Sequence, residues 1–260
     1  MSVQSYINHH VPSQLAIHHV AALRPLKWLA QGWQDINLHL MASLAHGFAV
    51  SALILATLFL ASINIYVVAV LISGFMLIGP IMAAGLCELS RRNQSGEAVS
   101  FDDSLEGLRH CQSSLNHFAG ILLGFSVMWF VISGVVLFLA LGDITPSLEQ
   151  LVWGDFLGLV TPTQVLLYVI VGGLLASIVF VVSVVSVPAI IENAIPAVDA
   201  MAISFKVTIT NLATMLVWAS LIVALTAIGF ATFLVGMIII YPLLGHATWH
   251  AYRDLVESKA

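Results

Sequence analysis

The longest uncharged run of the chain constrains its fold more than any other feature. Between Ile36 and Cys87 there is no Asp, Glu, Lys or Arg. A transmembrane helix needs about 20 predominantly apolar residues, so this run is long enough for two helices. We therefore expect a hairpin of two spans, roughly 41–63 and 65–87, with its turn at Asn64.

Composition also places the chain in the membrane class. Its 260 residues are 60% hydrophobic and 8% charged, whereas soluble domains carry about 25% charged residues. The net charge of −5 and the lack of a basic run argue against nucleic-acid binding. Cys87 and Cys111 flank a polar segment that we expect in the cytosol, so both thiols should be reduced. The first residues contain no apolar segment, so no cleavable signal peptide is expected.

The remaining apolar runs predict four more spans, at about 118–141, 165–191, 209–228 and 230–250. The last two divide one uncharged run from Val207 to Tyr252, for which a single long tilted helix is the alternative. We expect residues 1–22 to be a mobile tail, 23–255 to be one membrane domain, and 256–260 to be a C-terminal tail. The predicted fold class is an all-α membrane protein with six transmembrane helices arranged as three hairpins.

Short amphipathic helices are expected on the cytosolic face. Pro25 suits the first turn of a helix, and apolar residues then recur at helical spacing, with Asp35 off their stripe. The stripe consists of Leu26, Leu29, Trp33 and Ile36. This pattern predicts a helix lying in the interface with its tryptophans at headgroup depth. The segment Glu192–Lys206 is predicted to be a second connector of this kind.

The basic residues predict the orientation of the chain. Cytosolic loops of membrane proteins are enriched in Lys and Arg, and here the two predicted outer connectors contain none. All eight basic residues fall in the segments that six spans place on one side: Arg24, Lys27, Arg91, Arg92, Arg109, Lys206, Arg253 and Lys259. We therefore expect a multi-pass protein of a bacterial inner membrane with both termini in the cytosol.

The three hairpins share a pattern. Each even-numbered span carries a proline near its inner end, followed one or two turns later by an ionisable residue. These pairs are Pro80 with Glu88, Pro188 with Glu192, and Pro242 with His246 and His250. The pattern indicates either a threefold structural repeat or the ordinary use of proline in membrane helices.

Three motifs together resemble a bacterial family of predicted integral membrane proteins that carry a domain of unknown function. The motifs are Pro25–Asp35, Gly79–Arg92 and Pro242–Leu255, of which the last is the most specific. The resemblance implies a membrane protein. It implies no activity, cofactor or set of site residues.

The most suggestive ligand pattern is the pair His246 and His250, which share one helix face at i, i+4. The zinc-protease motif requires Glu directly after the first His, and Ala247 stands there instead. A helix that leaves the membrane with His, Trp and Tyr at the headgroups is the alternative interpretation. If His46 on the first span faced His246, the two could hold haem or copper.

Other candidates form a polar seam rather than a reaction centre. Glu88 and Glu192 end even-numbered helices, and Ser177 and Ser183 lie along the fourth span. Glu88 is also placed to pair with Arg92 at i, i+4, and serines in membrane helices commonly bond their own backbone. No nucleophile elbow, phosphate loop or paired-carboxylate motif appears, so no catalytic residue is predicted.

The sequence therefore predicts a non-enzymatic membrane protein, either a small carrier or a scaffold or accessory subunit. No cofactor is predicted in that case. The alternative is a redox accessory protein that holds haem or copper through membrane histidines. The expected partners are the lipid bilayer and either other proteins or a second copy of the chain, and not nucleic acid.

Overall fold

The structure is a computed structural model that describes residues 15–61, 82–97, 99–141 and 161–258. These residues are mostly helical, with one pair of short strands. The elements in chain order are β1 (Leu15–Ile17), α1 (Arg24–Leu38), α2 (Leu40–Ala61), α3 (residues 82–95), α4 (Phe101–His110), α5 (Gln112–Leu141), α6 (Pro162–Ser183), α7 (Ser186–Asn193), α8 (Ala197–Thr210), α9 (Leu212–Ala231), α10 (Met237–Leu255) and β2 (Val256–Ser258).

Three stretches are long and apolar enough to cross a membrane, judged by length and composition of the described residues. They are Gln112–Ile132, Val169–Asn193 and Leu212–Ala231. A fourth would be α1 together with the first part of α2, which meet at a bend of 108°. The second predicted span, 65–87, falls largely outside the described residues. An all-α membrane protein therefore agrees with the structure, and six spans in three hairpins stay a prediction.

The fourth predicted span, 165–191, is broken into α6 and α7. Pro188 has no N–H to donate to the carbonyl of Val184, four residues earlier, so the helix is interrupted one turn before it. Ser204 compensates from α8, because its hydroxyl accepts from the Val185 N–H at 3.4 Å and donates to the Val181 carbonyl at 2.8 Å. The break is therefore satisfied within the protein, as a membrane protein requires.

The uncharged run from Val207 to Tyr252 forms two further helices rather than one long one. Helix α9 ends at Ala231 and α10 begins at Met237, a few residues beyond the predicted boundary. Phe233 and Leu234 both adopt left-handed backbone conformations, with φ of 52° and 67°. The Thr232 hydroxyl accepts a hydrogen bond from the Gly236 N–H at 3.0 Å. This turn returns the chain so that α10 can pack inside the protein.

The described residues divide into two compact units. The first comprises residues 15–51, 82–97, 99–118 and 180–258, and the second comprises residues 52–61, 119–141 and 161–179. In the second unit, Gly172 lies against the Trp129 ring, where an added Cβ would be 2.8 Å from the nearest ring carbon. The ionisable residues discussed below all belong to the first unit.

The core of the first unit forms around α1 and α10. Trp28 of α1 is fully buried and meets Trp218 of α9 edge to face, with ring centroids 5.8 Å apart. Gly32 lets the two backbones approach closely, because an added Cβ would lie 2.9 Å from both Ala247 N and Leu243 O. Trp28 is thus a core residue of the protein, and the headgroup depth expected for the tryptophans stays a prediction. Trp33, by contrast, is 47% exposed.

Where the structure describes the two predicted tail segments, they contact distant parts of the chain. Residues 15–17 and 256–258 pair as antiparallel strands, with Ala16 opposite Glu257. Residues 18–20 are then fixed by Asn211, which accepts from the Val20 N–H at 3.0 Å and donates to the His18 carbonyl at 2.9 Å. The prediction of mobile segments rested on a lack of periodicity, and these contacts come from residues about 190 positions away.

Candidate functional site

A buried carboxylate forms the centre of the candidate site. Asp35 is 4% exposed and accepts three hydrogen bonds. Its Oδ2 accepts from the Ser90 hydroxyl at 2.5 Å and from His250 Nε2 at 2.9 Å. Its Oδ1 accepts from Asn93 Nδ2 at 3.1 Å. All three donors favour the ionised carboxylate.

His246 continues this arrangement into the core. It is fully buried, with Nδ1 at 2.7 Å from the Ser90 hydroxyl and Nε2 at 2.9 Å from the Ser43 hydroxyl. Since Ser90 has one hydroxyl hydrogen and gives it to Asp35, His246 must donate from Nδ1. In a neutral His246, Nε2 then accepts from the Ser43 hydroxyl, and the tautomer is the Nδ1–H form.

The outer part of the site reaches the protein surface. His250 is 7% exposed, and its Nδ1 lies 3.4 Å from Nε2 of Gln94, an exposed residue. Asn93 Oδ1 accepts from His39 Nε2 at 3.2 Å. We name Asp35, Ser43, Ser90, His246 and His250 the Asp35 cluster. Gln94 connects this cluster to the protein surface.

Helix geometry explains how these residues come together. On α1 the buried face contains Trp28, Gly32 and Asp35, so the close contact of Gly32 with α10 also brings Asp35 against that helix. On α10 the i, i+4 spacing puts His246 and His250 on one face. Gly245 lies against the Leu86 side chain of α3, which places Ser90 one turn further along.

The Asp35 cluster lacks a permanent positive charge. Among the described residues, the ion-pair contacts of Asp35 are to His250 at 2.9 Å and to His246 at 3.9 Å, and none is to Lys or Arg. With both histidines neutral the cluster carries one negative charge. Binding one proton would make the cluster neutral.

A second buried carboxylate has the opposite character. Glu88 is 2% exposed and is paired with two guanidinium groups, Arg91 through two hydrogen bonds of 2.7 and 2.8 Å and Arg92 through one of 2.8 Å. Burial opposes ionisation, but these hydrogen bonds and charges together lower the pKa of Glu88. The predicted i, i+4 pair with Arg92 is present, and Glu88 is bound within an ion-pair network that extends to Glu106.

The remaining predicted residues are dispersed. Glu192 pairs with Arg253 at 2.9 Å on a half-exposed surface. Ser177 donates to its own backbone at Gly173, and Ser183 is half-buried. His46 is 4% exposed, with Nδ1 at 2.9 Å from the Ala42 carbonyl. The polar seam proposed from these residues is not tested by their positions.

The haem or copper alternative also stays a prediction. Among the described residues there is no group of three or more His, Cys, Asp and Glu arranged to hold a metal ion. Both ring nitrogens of His246 are engaged by serines, and His46 Nε2 faces Gly85, where an added Cβ would be within 2.4 Å. The two histidines therefore bond to different partners.

All three motifs of the predicted family contribute to the Asp35 cluster. Asp35 comes from the first, Ser90 from the second, and His246 and His250 from the third. Sequence reasoning found the histidines but missed Asp35 and Ser90. The missed signal is the spacing of Trp28, Gly32 and Asp35, which puts the carboxylate on the small-residue face of α1 rather than on its solvent side.

Comparison with protein families agrees with the resemblance. Residues 67–192 match the family described as predicted integral membrane protein (DUF2189). The DUF2189 match includes Ser90, Asn93 and Glu88 but ends before α10 and begins after α1. It confirms an integral membrane protein with a domain of unknown function, and so a chain that lies in a lipid bilayer. Searches of curated proteins and of solved structures give no match.

Proposed function

We propose that this protein is a small non-enzymatic carrier of a bacterial inner membrane and that the Asp35 cluster is its working site. The observation that carries this proposal is a buried carboxylate that is hydrogen-bonded to His250 directly and to His246 through Ser90, without a Lys or Arg among its described ion-pair partners. Ionisable residues inside membrane proteins commonly mark ion pathways and proton relays. The Asp35 cluster is a buried group of ionisable residues of this kind.

A purely structural role accounts less well for these residues. Burying a carboxylate is costly unless it is well paired, and apolar residues of similar volume often serve stability as well or better. The Glu88 network shows the paired solution, with two arginines on one carboxylate. Asp35 instead has partners that can themselves gain a proton, which favours a function over a scaffold.

The proposed orientation has both termini in the cytosol. It is supported by the basic residues on the predicted inner segments and by the pairing of β1 with β2, which brings the segments before α1 and after α10 side by side. Glu88, Arg91 and Arg92 would then lie at the cytosolic side.

Transport into vesicles tests the carrier. Purified full-length protein is reconstituted into liposomes, incubated with a mixture of amino acids, organic acids, sugars and inorganic ions, and the vesicle contents are measured by mass spectrometry. We expect a solute that accumulates with the wild type and not with Asp35→Asn, while Asp102→Asn, at an exposed position of α4, behaves as wild type. Absence of any protein-dependent solute, together with a stoichiometric co-purifying partner, would instead favour a scaffold.

A further inference from the structure

We infer that the Asp35 cluster binds one proton at the Asp35–His250 pair and that this proton is the coupling ion of the carrier. The inference rests on the proposed function, which it deepens by naming the ion. The geometry that carries it is the convergence of two hydrogen-bonded arms on one carboxylate oxygen, Oδ2 of Asp35.

The hydrogen positions define the two arms. In the inner arm Ser43 donates to His246, His246 donates to Ser90, and Ser90 donates to Asp35. In the outer arm Gln94 donates to His250 Nδ1, and His250 Nε2 donates to Asp35. Every hydrogen in both arms therefore points towards Asp35, and the carboxylate is where an added proton is bound.

The arms also differ in their access to water. The outer arm begins at Gln94, which is exposed, and passes through His250 at 7% exposure to Asp35 at 4%. The inner arm ends in Ser90, His246 and Ser43, each at 0%. A proton from solution thus reaches Asp35 through His250.

The transfer requires no group beyond those present. When the Gln94 amide rotates away, a proton from water binds His250 Nδ1 and gives an imidazolium. His250 then gives its Nε2 proton to Asp35 Oδ2 and remains neutral as the Nδ1–H tautomer. One proton is gained, none is released, and the charge of the cluster changes from −1 to zero.

Protonation weakens the joint between helices. After the transfer, the hydrogen on Asp35 Oδ2 is donated to His250 Nε2, so the contact between α1 and α10 is kept with its direction reversed. The bonds that Asp35 accepts from Ser90 and Asn93 of α3 no longer involve a charged carboxylate, and a neutral hydrogen bond is about half as strong as a charge-assisted one. Proton binding is thereby coupled to a change in how α1 packs against its partner helices, as a carrier requires.

The other ionisable groups around the cluster are bonded to other partners, so they do not change the assignment of the added proton to the Asp35–His250 pair. His39 and His46 lie at the end of α1 and on α2, and they are bonded to Asn93 and to the Ala42 carbonyl. The charges of α3 are paired, Glu88 with Arg91 and Arg92, and Arg92 also with Glu106 of α4. At the far end of α1 and α10, Arg24 pairs with Asp254.

Infrared difference spectroscopy tests the inference without a transported solute. Full-length protein in lipid nanodiscs is taken from about pH 8 to about pH 5, the range in which histidine ordinarily titrates, and the carbonyl stretch of protonated carboxyl groups is recorded. We expect a band in the wild type and in Asp102→Asn that is missing in Asp35→Asn. A wild-type spectrum without an Asp35-dependent band would overturn the inference.

Two further variants cover the case in which Asp35→Asn does not fold. Ser90→Ala removes a donor to the ionised carboxylate, so the midpoint of the band should move to higher pH by about one unit. His250→Gln keeps a donor but cannot carry a proton, so after a rapid pH jump the band should form about a hundredfold more slowly. An unshifted midpoint in the first variant or an unchanged rate in the second would count against the proton path.

Different results would contradict the carrier function and the proton-binding inference. Solute accumulation without an Asp35-dependent proton band would leave a carrier driven by another ion. A proton band without any solute would leave a proton-binding membrane protein that is not a carrier.

Discussion

At the scale of single residues, the Ser90 hydroxyl connects two side chains that have no direct hydrogen bond to each other. His246 Nδ1 and Asp35 Oδ2 are 3.9 Å apart, and Ser90 lies between them with bonds of 2.7 and 2.5 Å. A hydroxyl both donates and accepts, which suits this position. A serine thus links His246 to Asp35 within the cluster.

Glu88→Gln should destabilise the protein by about 2–3 kcal/mol, since it removes a buried carboxylate from charge-assisted bonds to two arginines. Because its pKa is lowered on folding, Glu88 stabilises the protein fully above about pH 5. That contribution is lost as the pH falls through the folded-state pKa. Thermal unfolding in detergent, followed by circular dichroism, should show a melting-temperature gap between variant and wild type that narrows on acidification.

The control for this prediction is Glu192→Gln. Glu192 pairs with Arg253, whose side chain is 48% exposed, and exposed pairs contribute less than about 1 kcal/mol. Equal losses in the two variants, or a gap that widens at low pH, would contradict the assigned role of Glu88.

At the scale of elements, α10 organises the first unit although it contains a proline. Its last three turns also contain four histidine or charged residues, His246, His250, Arg253 and Asp254. Twelve of its residues are buried, among them His246, Trp249 and Tyr252. Helix α9 differs, since only Thr214, Met215, Trp218 and Gly229 are buried there. A helix that is apolar all round and mostly exposed suits contact with lipid, whereas α10 is built for contact with protein.

Gly32→Ala should separate α1 from α10. The new Cβ would lie 2.9 Å from two backbone atoms, Ala247 N and Leu243 O, which cannot rotate away as a side chain would. Overpacking of this kind costs about 1–3 kcal/mol, to be measured as a lower unfolding temperature. Gly120→Ala is the matched control, because a Cβ there meets nothing within 4 Å. A Gly32 variant as stable as the Gly120 variant would argue against the close helix contact.

Asn211→Ala should release the segment before α1. Asn211 is 5% exposed, and its side chain bonds the backbone of His18 and Val20. Losing these bonds, at about 1 kcal/mol, should speed proteolysis within residues 18–23 by about fivefold or more. Asn37→Ala is the comparison, because Asn37 bonds only its own helix at Trp33 in the described contacts. Equal cleavage of the two variants would mean that Asn211 does not hold the segment.

The helices were more predictable than the faces they bury. Apolar runs indicate α2, α5 and α9 because twenty apolar residues have few alternatives to a helix in lipid. The buried face of α1 was predicted at Leu26, Leu29, Trp33 and Ile36, whereas the structure buries Pro25, Trp28, Gly32, Asp35 and Ile36. Hydrophobicity alone selects the wrong stripe here, since the partner helix requires small residues and supplies hydrogen bonds to the carboxylate.

At the scale of the whole molecule, the predicted orientation can be measured directly. Ser95→Cys and Thr163→Cys both occupy exposed positions, on predicted inner and outer segments. In intact bacterial spheroplasts a membrane-impermeant maleimide should label Thr163→Cys at once and Ser95→Cys only after permeabilisation. The wild type serves as blank, because Cys87 and Cys111 are buried. The reverse labelling order would refute cytosolic termini.

The Asp35 cluster could not be read from the sequence because its members are far apart along the chain. Ser90 follows Asp35 by 55 positions and His250 follows it by 215. Local periodicity carries no information on which helices meet. The i, i+4 histidines were visible, whereas their bonding to two serines and a carboxylate depends on the packing of α1, α3 and α10.

That separation also has a consequence for biosynthesis. A ribosome adds about 5–20 residues per second, so roughly 10–40 s pass between the synthesis of Asp35 and that of His250. Throughout that interval the carboxylate lacks one of its three donors, and α1 has no α10 to pack against. The first helix must therefore wait where water can solvate Asp35. Insertion of α10 then supplies the missing donor to Asp35 and the packing surface for α1. A chain truncated before α10 should therefore be degraded by membrane quality control.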